Sequence, residues 1–71
     1  MRRDALISVV LDRDGDPVEV TVLVEHHCRF GGWSAASETQ GWQGGVAVDL
    51  TYAEQHAAEQ LALREHGDPD A

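Results

Sequence analysis

The stretch 5–24, ALISVVLDRDGDPVEVTVLV, decides how this chain of 71 residues folds. Two runs rich in β-branched residues flank Asp14-Gly15, a pair that favours the two-residue type I′ turn of a β-hairpin. With that pair at the tip, one face of the hairpin carries pairs that are apolar on both strands: Ala5–Val24, Ile7–Val22, Val9–Val20 and Leu11–Val18. A shift by one residue would oppose these side chains to the mixed face, so the pattern fixes the register. We predict a hairpin over residues 5–28.

Residues 52–66 carry the signals of a helix with defined ends. Thr51 and Glu54 have the S/T-x-x-E spacing of a capping box. Most residues that follow are good helix formers, and Gly67 and Pro69 end the helix ahead of a short tail, residues 67–71. A helical projection puts Glu59 on the outward face. It predicts an inward face of mostly alanine, made of Leu50, Ala53, Ala57, Ala58 and Leu61.

The segment between hairpin and helix is less regular. Residues 46–50, VAVDL, alternate as a strand that leads into the helix cap. Residues 29–45 are rich in glycine and form either a long connection or two strands, with SAASETQ (34–40) as the bend. A structureless loop of that length is uncommon in a compact domain, so we expect part of it to pair. The predicted class is α+β: one domain, residues 1–71, with three or four antiparallel strands and a C-terminal helix on one face.

Charge is the strongest global signal of the composition. Thirteen acidic residues against five arginines, with no lysine, give a formal net charge of −8. Phosphates are bound by Lys and Arg, so direct nucleic-acid binding is not expected. A partner protein or ribonucleoprotein with a basic surface is expected instead. The alternative is that the charge serves only solubility.

The compartment is predicted from three absences in the sequence. No run approaches the roughly 20 apolar residues of a membrane span. Asp4 and Ser8 interrupt the N-terminal apolar run, which therefore does not resemble a signal peptide. Cys28 is the single cysteine and fits a reducing compartment. We expect a cytoplasmic protein with no membrane partner.

The run EHHCR, residues 25–29, is the chemically richest. His26 and Cys28 share a face of the strand and, with His56 from the helix, could supply zinc ligands. A single cysteine and the lack of CxxC or HExxH spacing favour the other interpretation. In that interpretation Cys28 is a small buried residue and His26 is bonded at the sheet end. We expect no metal or other cofactor. No nucleophile, base and oxyanion-hole pattern is found, so no enzymatic activity is expected.

Trp33 and Trp42 are the better candidates for a site. Tryptophan is enriched at the energetic centres of protein interfaces, and flanking glycines let a partner approach the backbone. The alternative is that one or both indoles fold over the thin alanine surface of the helix and complete a core that is short of large side chains.

The layout of the chain resembles a known kind of protein. A very short acidic chain with VEVTVLVE (18–25), a Gly/Trp-rich middle and LTYAEQHAAEQLA (50–62) resembles small proteins encoded by phages and mobile elements, among them the anti-CRISPR proteins. The resemblance implies a compact inhibitor in the host cytoplasm. Such inhibitors bind a nucleic-acid-handling complex, some of them by presenting DNA-like negative charge. The resemblance assigns no role to any single residue.

The leading hypothesis is a non-enzymatic inhibitor that binds a basic protein surface. Trp33 or Trp42 would anchor the contact, and four carboxylates would steer the approach: Asp49, Glu54, Glu59 and Glu65. The first alternative is a homodimeric structural or assembly module of a phage or bacterium that closes its sheet edge through residues 29–48. The second is a His/Cys metal-binding domain.

Overall fold

The computed structural model describes residues 4–27 and 32–66. These residues form an antiparallel sheet of five strands and one helix, which confirms the α+β class and adds a strand to the three or four expected. The elements are β1 (Ala5–Arg13), β2 (Asp16–His27), β3 (Gly32–Ser37), β4 (Gln40–Gln43), β5 (Val46–Asp49) and α1 (Tyr52–His66). The predictions for Cys28 and for the tail 67–71 lie outside the described residues.

The hairpin of β1 and β2 has the predicted register. Ala5 faces Val24 at the open end, and Leu11 faces Val18 near the turn. Asp14 and Gly15 both have positive φ, 51° and 89°, as a type I′ turn requires. This register places the valines of β2 on one face, where they form the centre of the core.

The second edge of β2 pairs with two strands in succession. β3 pairs along the C-terminal half of β2, and β4 meets it further on at Trp42 opposite Glu19. Between these two pairings there are two residues on β2, residues 20 and 21, and four on the neighbouring segment, residues 38–41. The chain therefore bends at residues 38 and 39, inside the predicted SAASETQ bend. β3 and β4 follow one another along β2 rather than pairing with each other, because β2 is long enough to pair with both.

A second tight hairpin joins β4 to β5. Gly44 and Gly45 form its turn with φ of 59° and 82°, and Trp42 faces Ala47 across the ladder. The strand predicted at 46–50 is present, and the two-strand alternative for 29–45 is the one that the structure shows, but sequence analysis missed the hairpin of β4 with β5. The signal was the Gly-Gly pair between two short runs, which favours the same turn type as Asp14-Gly15.

The helix has the predicted ends and a different rotation about its axis. The Thr51 amide donates to Glu54 Oε1 at 2.9 Å, and the Glu54 amide donates to Thr51 Oγ1 at 3.1 Å, which completes the capping box. Ala58 and Ala62 are the buried helix residues. Three residues of the predicted inward face of the helix are exposed in the structure, so the prediction was wrong for them: Ala53, Ala57 and Leu61. Polar contacts explain this rotation of the helix. Glu54 and Glu59 point towards the sheet, where Arg13 and Ser37 donate hydrogen bonds to their carboxylates.

The core lies between α1 and one face of the sheet. It consists of Val9, Leu11, Val18, Val20, Val22, Val24, Leu50, Ala58 and Ala62. The helix contacts β1, β2 and β3 on this side. We call the opposite side of the sheet the outer face; within residues 4–27 and 32–66, no element packs on it. Leu6 and Val10 on this face are 72% and 60% exposed.

Candidate functional site

Trp42 lies on the outer face, in the middle of a row of side chains that crosses four strands. It is paired with Glu19 of β2 on one side and with Ala47 of β5 on the other. Val10 of β1 faces Glu19 from the far side. Trp42 is 45% exposed, so its indole is available to another molecule.

The neighbouring glycine explains why the indole points outward. A Cβ placed on Gly41 would lie 2.6 Å from Val18 Cγ1 and 3.1 Å from Leu50 Cδ2. The inward position of β4 therefore has no room for a side chain. Because successive residues of a strand point to opposite faces, an inward Gly41 fixes Trp42 on the outer face.

A shallow groove of about 320 Å³ runs beside the indole. Its walls are Val10, Pro17, Glu19, Trp42, Gly44 and Gly45. The volume is at the lower end of the range for small-ligand sites, so the groove suits one side chain or a short extended segment. The lining is mostly apolar, and Glu19 is its one ionisable side chain.

The outer face is acidic as well as apolar. Glu19 is exposed, and Asp12 and Asp49 lie at the same face near the sheet end. Asp12 and Asp49 line a second cavity, of about 530 Å³, together with Arg13, whereas Glu19 has no arginine beside it among the residues that line the groove. In the described part of the chain, no hydrogen bond or ion pair engages the Glu19 carboxylate. The face can therefore attract a cation and cover it with apolar surface.

Sequence analysis missed Glu19 and Val10 as members of the site. The predicted hairpin register already paired them on its mixed face. The missing information was the position of β4, which brings Trp42 next to Glu19.

Trp33, the other predicted anchor, packs towards the helix. It faces His26 across β2 and β3, and its ring centroid lies 4.7 Å from that of His26 and 4.6 Å from that of His66. Its Nε1 is buried and has no hydrogen-bond partner among the described residues. The structure therefore gives the two indoles different surroundings: Trp33 lies at the contact between helix and sheet, and Trp42 lies at the surface.

Two of the four predicted steering carboxylates are bonded within the chain. Glu54 accepts from Arg13 Nε at 2.8 Å and from Arg13 Nη2 at 2.6 Å. This pair, followed by the Thr51 amide, lowers the pKa of Glu54 from 4.5 to about 2. Glu59 Oε2 accepts from the Ser37 hydroxyl at 2.8 Å and from its amide at 3.2 Å. Glu59 is thus half-buried against the sheet rather than on the outward face of the helix.

The other two carboxylates, those of Asp49 and Glu65, belong to exposed residues. Asp49 ends β5 on the outer face, and Glu65 lies near the end of the helix on the other side of the sheet. The four carboxylates therefore do not form one patch. Their role in steering a partner stays a prediction.

The predicted zinc ligands are not brought together by the described residues. His26 lies beside Trp33, and the helix residue at that end is His66. His56 is exposed and lies ten residues earlier, about 15 Å along the helix axis. Cys28 lies outside the described residues. Within the ranges described, no three His, Cys, Asp or Glu side chains are grouped so that they could hold a metal ion.

Together the fold and this site define a small acidic α+β protein, in which no element of residues 4–27 and 32–66 covers the outer face of the sheet. Comparisons of the chain with protein-family models, curated proteins and solved structures found no match. Over the ranges that the structure describes, no helix is both long and apolar enough to cross a lipid bilayer.

Proposed function

We propose that this chain is a non-enzymatic inhibitor or interaction protein that binds a basic surface of a protein or ribonucleoprotein through its outer face. One observation carries the proposal: Trp42 is exposed beside Glu19, in a groove whose other lining residues carry no charge.

The apolar part of the face supports a binding role. Leu6 and Val10 are mostly exposed, and Trp42 lies in the same sheet face. Burying such surface contributes roughly 25 cal/mol per Å² of apolar area. Tryptophan near the centre of a patch is a frequent anchor of binding energy.

The charge supports a basic partner. With a net charge of −8, the chain attracts positively charged surfaces and repels copies of itself. Proteins that handle nucleic acids expose Lys and Arg for phosphate contacts. An acidic protein on such a surface would compete with the nucleic acid. This is the mode of action that the resemblance to anti-CRISPR proteins implies, in the cytoplasm of the host cell.

The composition of the groove supports a role without catalysis. Glu19 is its one ionisable side chain, and its lining residues include no serine, cysteine, threonine or lysine that could act as a nucleophile. The groove presents apolar contact surface and one carboxylate. These are the properties of a binding surface.

The test is affinity capture from a lysate of the host cell, with two matched aromatic variants. Trp42→Ala removes the indole from the outer face, and Tyr52→Ala removes a 91% exposed ring from the first turn of α1. We expect the wild type and Tyr52→Ala to retain the same basic protein, and this retention to fall with salt. Trp42→Ala should lower the affinity about 30-fold or more, the loss of a 2 kcal/mol anchor. Equal capture by Trp42→Ala and the wild type would refute the proposal.

A homodimeric assembly module is a second candidate, favoured by one feature of the sheet. β3 pairs with β2 on one side, and β5 pairs only with β4, so in the described part of the chain the second edge of β3 carries no strand. Unpaired edges favour pairing with another chain. Light scattering across a dilution series tests this candidate. A mass of one chain at all concentrations would exclude it.

A further inference from the structure

Resting on the proposed function, we infer that the groove beside Trp42 binds an arginine side chain of the partner. In this arrangement the guanidinium stacks on the indole and donates hydrogen bonds to the Glu19 carboxylate. The groove is thus an arginine subsite within the outer face.

The cross-strand geometry places the two recognising groups side by side. Glu19 and Trp42 are directly opposite residues of neighbouring strands. Cβ atoms of such pairs are about 4.5–5.5 Å apart, so a planar cation on the indole is within reach of the carboxylate. Val10 and Pro17 form apolar walls for the methylene stem.

The chemistry of the groove favours a cation over an apolar occupant. An apolar side chain would cover the indole but would also remove water from the Glu19 carboxylate without replacing its hydrogen bonds, which is costly. A cation satisfies the carboxylate and gains a cation–π contact with the indole. Arginine fits better than lysine, because its flat guanidinium stacks on a ring while its edge donates to a carboxylate.

The arginines that the structure describes do not fill the groove. Arg13 is bonded to Glu54 and to the Asp49 backbone oxygen on the helix side. Arg64 lies on α1, which covers the other face of the sheet. Within residues 4–27 and 32–66 no arginine supplies a guanidinium to the groove, and an arginine of the partner is the occupant that the Glu19 carboxylate favours.

The test uses a capped Gly-Arg-Gly tripeptide as the probe and the same peptide with citrulline as the neutral control. Citrulline has the shape of arginine without its charge. Both peptides are titrated into the ¹⁵N-labelled chain and followed by NMR. We expect the arginine peptide to shift the Trp42 indole N–H and the amides of Glu19 and Gly44, with an affinity roughly five- to tenfold above that of the citrulline peptide. The Trp33 indole, packed against His26 and His66, is the internal control and should not move.

Two matched variants show whether the preference for arginine depends on the Glu19 carboxylate itself or on the negative charge of the chain in general. Glu19→Gln should abolish the preference for arginine over citrulline. Glu25→Gln changes a carboxylate on the same strand and face, six residues and about 20 Å away, and should keep the preference. The amide spectrum of each variant shows that it is folded. Equal affinity for the two peptides, an unshifted Trp42 indole, or equal losses in the two Gln variants would overturn the inference.

The two proposals fail in different ways. If Trp42→Ala loses the captured partner but the arginine peptide leaves the groove unshifted, the binding function stands and the arginine subsite is wrong. If the peptide binds with the expected preference but Trp42→Ala captures as well as the wild type, the subsite stands and the proposed function is wrong.

Discussion

Arg13 connects three elements through one guanidinium. It donates two hydrogen bonds to the Glu54 carboxylate and a third to the Asp49 backbone oxygen at 2.8 Å. The end of β1 is thereby joined to the first turn of α1 and to the end of β5. A two-pronged contact between guanidinium and carboxylate fixes orientation as well as distance, so Arg13 helps to set the rotation of the helix.

Acid should weaken the fold through this pair. The pKa of Glu54 is lowered to about 2 in the folded chain, below its usual 4.5, so its stabilisation is complete above about pH 4.5 and is lost as the pH falls towards about 2. Glu54→Gln keeps the capping box, which accepts Glu or Gln, and removes the charge. We expect the urea midpoint of the wild type to fall through this window more steeply than that of Glu54→Gln. Glu65→Gln is the control, and its midpoint should follow the wild type. Parallel pH profiles of wild type and Glu54→Gln would contradict the role given to the pair.

Gly41 lies where β4 approaches the core too closely for a side chain. Gly41→Ala would place a methyl group 2.6 Å from Val18 Cγ1, and we expect it to lower the free energy of unfolding by about 1–3 kcal/mol. Gly32→Ala, where a Cβ has open space, should change it by less than about 0.5 kcal/mol. Chemical denaturation measures both variants. Equal stability of the two variants would mean that β4 does not lie against Val18 as described.

At the scale of the elements, the hairpin and the ends of the helix could be predicted from the sequence because each carries two agreeing signals. The β1–β2 register rests on a turn pair and on an unbroken apolar ladder, and the start of α1 rests on a capping box. Two strands within 29–45 were one of the alternatives, but their partners were not predicted, because β3 is mostly Ser, Ala and Gly and β4 has only four residues, so neither shows a clear apolar alternation. The rotation of α1 was mispredicted because alanine on several sides leaves polar contacts to decide it.

The Glu59–Ser37 contact is the second of those polar contacts. Glu59 holds the middle of α1 to the end of β3 through two hydrogen bonds from Ser37. We expect Glu59→Ala to lower the free energy of unfolding by about 1–2 kcal/mol, as for hydrogen bonds to a charged group. Glu65→Ala, on the exposed side of the helix, should have little effect. A double-mutant cycle with Ser37→Ala should show coupling between the two residues. Additive losses would show that the contact does not stabilise the fold.

At the scale of the whole molecule, the candidate site could be predicted in its residue type but not in its position. The sequence did not distinguish the two tryptophans. In the structure they point to opposite faces of the sheet, because Trp33 occupies an inward position of β3 and Trp42 an outward position of β4. An inward Gly41 sends Trp42 outward, whereas Trp33 faces His26 on the helix side. The negative charge was plain from composition. Which carboxylates are bonded within the chain depends on how α1 sits on the sheet.

The most direct test of the account is methyl cross-saturation NMR between the captured partner and the labelled chain. It reports which methyl groups lie at the interface. We predict saturation of Leu6 and Val10 on the outer face, and none at Leu61, which is exposed on the helix at the other side of the sheet. Saturation confined to Leu61, with Leu6 and Val10 unaffected, would contradict the claim that this protein acts through its outer face.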